Sequence, residues 1–60
     1  MAKYTRLNRL KYLQMFTLEP SSPEIWVRGK FIKESKQFEA WTLSGNKYKW
    51  FDGTLEVNTQ

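Results

Sequence analysis

The chain predicts an all-β fold: a four-stranded antiparallel meander, closed or covered by an N-terminal strand or short helix into a small, partly open barrel. Residues 24–57 carry that expectation. They contain short runs of alternating, β-branched and aromatic residues at Ile25–Ile32, Gln37–Leu43, Lys47–Phe51 and Thr54–Val57. Turn-forming residues separate the runs: Lys33-Glu34-Ser35-Lys36, then Ser44-Gly45-Asn46, then Asp52-Gly53. Hairpins closed on these turns sort the side chains onto the same two faces each time. A one-residue slip would scramble that sorting.

The N-terminal segment, residues 1–18, is a basic arm and a first element. Tyr4, Leu7, Leu10, Leu13 and Phe16 recur every three residues. At 100° per residue this row drifts around a helix and holds no single stripe. Read as a strand, Leu10, Tyr12, Phe16 and Leu18 share a face that Gln14 interrupts. The segment predicts an extended strand near Leu10–Leu18, preceded by a basic arm or one helical turn. Residues 19–23, Glu19-Pro20-Ser21-Ser22-Pro23, form a stiff connector, because proline fixes φ and removes a donor. Residues 58–60 read as a frayed tail.

Within the meander, Asp52-Gly53 is the strongest hairpin signal, because both central positions of a type I′ turn need positive φ. That turn sets Trp50 opposite Leu55, Lys49 opposite Glu56 and Tyr48 opposite Val57. The middle hairpin sets Thr42 opposite Tyr48, Ala40 opposite Trp50 and Trp41 opposite Lys49. The first sets Phe31 opposite Phe38, Gly29 opposite Ala40 and Arg28 opposite Trp41. The expected core face is Ile25, Val27, Phe31, Phe38, Ala40, Thr42, Tyr48, Trp50, Leu55 and Val57. The expected outer face carries Trp26, Arg28, Lys30, Ile32, Trp41, Leu43, Lys47, Lys49 and Phe51. Gly29, in the middle of a strand, predicts a bend or bulge.

Sixty residues make one domain. A chain of this length buries only about 60% of the surface its unfolded form exposes. It has no cysteine and no histidine, which excludes disulfides and argues against a structural zinc site. The apolar core must suffice, or be supplemented by a partner or by pairing of two copies into a homodimer. No apolar run approaches the roughly 18 residues needed to span a bilayer. Lys3, Arg6, Arg9 and Lys11 interrupt any signal-peptide core. The expectation is a soluble, cytoplasmic protein with no membrane partner.

Net charge is +4, and residues 1–18 hold those four bases and no acid. The remaining six bases and six acids cancel. Such asymmetry suits a polyanion-binding arm.

The residues do not suggest an enzyme. A general base would have to be a carboxylate, lysine or tyrosine. The expected registers place Glu39 and Glu56 against lysines, Glu34 and Asp52 in turns, and Glu19 and Glu24 beside the connector. Ser21 and Ser22 lack an activating base. No glycine-rich phosphate loop or other cofactor motif is present.

The outer face alternates cations with aromatic and aliphatic side chains. Rings stack on unpaired bases, and lysine or arginine neutralises phosphate. The leading expectation is a small non-catalytic nucleic-acid-binding protein, favouring single strands. Lys3, Arg6, Arg9 and Lys11 would contact phosphates. Trp26 and Trp41 would offer stacking faces, with Arg28, Lys30, Lys47 and Lys49 beside them. The alternative is a small accessory or inhibitor module that uses the same tryptophan and arginine patch on an acidic protein.

Overall fold

The computed structural model of the chain describes residues 4–21 and 23–59. These residues form six strands: β1 (Tyr4–Arg6), β2 (Met15–Phe16), β3 (Trp26–Ile32), β4 (Gln37–Thr42), β5 (Tyr48–Asp52) and β6 (Glu56–Asn58). One 3₁₀ turn, Leu7–Arg9, follows β1. The fold is all-β as expected, with a four-stranded antiparallel meander in the order β2-β3-β4-β5. The second sheet pairs β1 with β6.

The meander is built from different strands than the turns suggested. Its first strand is β2, from the N-terminal segment. The last run, β6, leaves the sheet. Asp52-Gly53 does turn the chain, but as the first half of a turn closed by Leu55 N–H on the Asp52 carbonyl at 3.0 Å. The Asp52 Oδ1 accepts both the Thr54 backbone N–H, at 2.9 Å, and the Thr54 hydroxyl, at 2.8 Å. Gly53 does not adopt positive φ, so the type I′ hairpin does not form. Its glycine answers to packing, since a Cβ there would lie 2.9 Å from Phe38 Cε1 and 3.2 Å from Asn8 Cβ.

Gly29 does mark a bulge. Phe31 faces Phe38 in the expected register, but the pairing shifts between Arg28 and Phe31. Beyond the shift Arg28 faces Ala40, Val27 faces Trp41 and Trp26 faces Thr42. Residues 29 and 30 together oppose Glu39. The extra residue turns Trp26 to the core, where it is 2% exposed. The middle hairpin also closes one residue differently from expectation. Thr42 pairs with Lys47, and side-chain hydrogen bonds among Thr42, Ser44 and Asn46 fill the loop between them. Leu43 meanwhile donates its N–H to Ile25. Trp41 therefore faces Tyr48, and Glu39 faces Trp50.

These two shifts correct the expected faces. The core is Leu7, Leu10, Phe16, Trp26, Phe38, Ala40 and Val57, with Leu18 and Phe51 packed against it. Tyr48, Trp50, Phe31, Ile25 and Leu55, expected inside, are exposed. Phe51, expected outside, stands edge-on to Trp26 at 5.2 Å and to Phe16 at 6.3 Å. Each such ring pair contributes about 0.5–1.5 kcal/mol beyond area burial.

The second layer closes over this core. Thr17 and Asn58 exchange two backbone hydrogen bonds of 2.8 Å, which joins the β2 edge to β6. Asn58, expected to begin a frayed tail, is a buried strand residue. Leu7 and Asn8 donate their N–H groups to Leu55 and Gly53, tying the 3₁₀ turn to the link between β5 and β6. Among the described residues the β5 edge carries no further strand, so the barrel stays partly open. No helix among the described residues is long and apolar enough to cross a membrane.

Candidate interaction surface on the outer face

Strand alternation and the observed registers define the face turned away from the core. One row crosses all four strands of the meander: Met15, Val27, Trp41 and Tyr48. Beside it, Trp50 faces Glu39. Ile25 and Leu43 extend the face at the other end and are exposed, as are Met15, Tyr48 and Trp50. Trp41 is half-buried, because its ring lies over the side-chain-free surface of Gly29.

The rings are hydrogen-bonded to one another. The Trp50 indole N–H donates to the Tyr48 hydroxyl at 2.9 Å. That hydroxyl donates to the Glu39 carboxylate at 2.9 Å. Glu39, Tyr48 and Trp50 thus form a chain across the β4–β5 pair, with Trp41 next to it. Exposed side chains normally sample several rotamers; here the mutual bonds restrict them, which lowers the ordering cost of a contact made on this face.

The residues expected to bind are scattered. Trp26 is buried and offers no stacking face. Arg28 points to the core side, with its guanidinium carbon 4.6 Å from the centre of the Phe38 ring. Its Nη1 donates to the Gly29 carbonyl at 2.7 Å and its Nε to the Lys11 carbonyl at 3.2 Å. Burial draws its pKa below the ordinary guanidinium range, while Tyr12 opposes the shift. A cation so engaged ties β3 to the turn at Lys11–Gln14. It does not flank Trp41.

Lys49 faces Ala40 in the register, on the opposite side of the sheet from Trp41, and its side chain is exposed. Lys47 forms an ion pair with Glu24. Lys30 sits exposed in the bulge opposite Glu39, and is the one expected cation that the register leaves beside the aromatic cluster. Arg6, Arg9 and Lys11 are exposed in the N-terminal layer, which packs on the core side through Leu7 and Leu10. Lys3 lies outside the described residues.

Tyr48 and Trp50 are the surface residues that the sequence reading placed inside. The signal that could have found them is the loop chemistry. Thr42, Ser44 and Asn46 bond one another across a four-residue loop, and that closure moves both rings outward.

A separate recess of about 520 Å³ opens at the barrel end. Asn8, Lys36, Asp52 and Thr54 rim it, and the Phe31 and Phe38 rings, 5.0 Å apart, line it. Comparison with protein-family models, curated proteins and solved structures finds no match for this chain.

Proposed function

We propose that the chain is a small protein-binding module whose contact surface is the outer face of the meander. The observation that supports this most is the pair of exposed rings Tyr48 and Trp50, tied through hydrogen bonds to Glu39 and set beside the half-buried Trp41. Tryptophan and tyrosine dominate interface hot spots, because each buries a large rigid surface and still satisfies a polar atom. Met15, Ile25 and Leu43 widen the cluster into an apolar patch of the kind that marks partner surfaces. The net charge of +4 favours a partner that is acidic overall.

The nucleic-acid reading draws less support from this arrangement. A strand-binding platform needs cations beside its rings to meet the phosphates. Here a carboxylate sits among the rings, and Arg28 and Lys49 belong to the other side of the sheet.

Affinity capture from a lysate of the producing cells tests the proposal. A protein retained after nuclease treatment, and lost when Trp50 is changed to alanine, is the expected result. Oligonucleotide binding with a steep salt dependence, or capture that nuclease abolishes, would overturn it.

A further inference from the structure

We infer that the free edge of β5 is the docking line. A partner adds an extended segment to it, and that segment alternates apolar and acidic residues. This rests on the outer face being a protein-binding surface, and it specifies how the partner engages.

The hydrogen-bonding phase of β5 is fixed by one contact. Thr42 N–H donates to the Lys47 carbonyl at 3.1 Å, so Thr42 and Lys47 form a hydrogen-bonded pair. Such pairs alternate along an antiparallel ladder. Lys49, opposite Ala40, and Phe51, opposite Phe38, therefore also direct their backbone groups to β4. Tyr48 and Trp50 direct theirs away from it. Asp52 agrees with this phase, because its carbonyl leaves the sheet to accept the Leu55 N–H. Beyond Tyr48 and Trp50 no strand follows among the described residues.

The two residues with outward backbone groups are the same two that carry exposed rings on the outer face. An added antiparallel strand would set residues opposite Tyr48 and Trp50. Their side chains would lie on the outer face against the rings, where apolar groups fit. The residue between them would point to the other face, beside Lys49. Lys49 is exposed and makes no ion pair among the described residues, so an acidic side chain fits there.

The same lysine disfavours a second copy as the occupant. Where Tyr48 faces Trp50 of another copy, the two Lys49 ammonium groups face each other. Like charges directly opposite on a sheet destabilise the pair, and lysines on edge strands block self-pairing in this way.

The test is a fluorescence titration of the intact protein with a short peptide alternating valine and glutamate. Saturable binding is expected. N-methylation of the peptide amides that would bond to β5 should weaken it by at least about tenfold, through lost hydrogen bonds and a steric block. The Lys49→Glu variant should prefer a valine–lysine peptide. Equal binding of the N-methylated peptide would overturn the inference. So would dimerisation protecting the β5 amides. If no peptide binds but Trp50-dependent capture of a protein persists, the edge reading fails and the outer-face reading stands. If both are lost, both fail.

Discussion

Trp41 lies across Gly29: a Cβ on residue 29 would sit 2.6 Å from the Trp41 Cζ3 and 3.1 Å from both the Cβ and the carbonyl oxygen of Glu39. The bulge and the tryptophan are thus one feature. The bulge bends β3, and the absent side chain lets the indole settle on the sheet. Gly29→Ala should cost about 1–3 kcal/mol in denaturant unfolding, the usual range for overpacking. Replacing Trp41 with valine in the same chain should recover much of that loss, giving a coupling above about 0.5 kcal/mol. Strict additivity would place the restriction in the Glu39 backbone and not in the ring.

Trp26 and Trp50 should separate by stability. Trp26 is buried against Phe51, so Trp26→Ala should cost about 3–5 kcal/mol, a large share of the stability of so small a domain. Its indole N–H is buried without an acceptor among the described residues, so Trp26→Phe should be far milder. Trp50 stands half-exposed on the outer face, and Trp50→Ala should cost less than about 1 kcal/mol. Thermal melts rank the variants. A Trp50→Ala variant as unstable as Trp26→Ala would make the outer cluster structural and remove the centre of the binding surface.

The sequence carried the architecture further than it carried the registers. Alternation located β3, β4 and β5 to within a residue or two, and the lone glycine of β3 marked its bulge. A bulge, however, adds one residue to one strand only. Its presence was legible at Gly29, but its effect was to move Trp26 and Arg28 together from the outer face to the core side, and with them two residues of the expected site. The middle hairpin failed through loop length. Ser44-Gly45-Asn46 looks sufficient as a turn, yet the Thr42 hydroxyl recruits Asn46 and enlarges the loop. The departure of β6 was least legible. Local turn signals at Asp52-Gly53 say that the chain bends, whereas the choice of β1 over β5 as partner depends on how Leu7 and Val57 fill a shared core.

Asp52 gives the fold a defined acid response. Hydrogen bonds from the Thr54 backbone N–H, and next from its hydroxyl, hold the Asp52 carboxyl below the ordinary 3.8, against a small opposing effect of burial. A carboxylate whose folded pKa lies below its unfolded one stabilises the fold fully above the unfolded value. That contribution fades as the pH falls through the folded value. Acidification below about pH 4 should therefore lower the melting temperature of the wild type. Asp52→Ala should be less stable at neutral pH, with a flatter pH dependence in this window. Identical slopes would show that other carboxylates govern the acid limb.

Backbone strain at the loops can be read without interference from packing. Lys36 and Leu13 adopt φ of 57° and 69°, in the left-handed region that disfavours residues with a Cβ. Gly45 adopts φ of 78°, with nothing within 4 Å of where a Cβ would stand. An L-residue in this conformation costs about 1–2 kcal/mol, whereas glycine loses about 0.5–1 kcal/mol more backbone entropy than alanine on folding. Lys36→Gly should therefore gain up to about 1 kcal/mol, and Gly45→Ala should lose a similar amount. Leu13→Gly should gain less, because Leu13 is only half-exposed and its buried part is lost. Chemical denaturation of the three variants measures these differences. Because Gly45 has open space around it, its loss reports the backbone cost alone and calibrates the other two. If Lys36→Gly is destabilising against that calibration, the Lys36 side chain contributes a stabilising contact of its own. The recess it rims beside Phe31 and Asp52 is then where that contact must be sought.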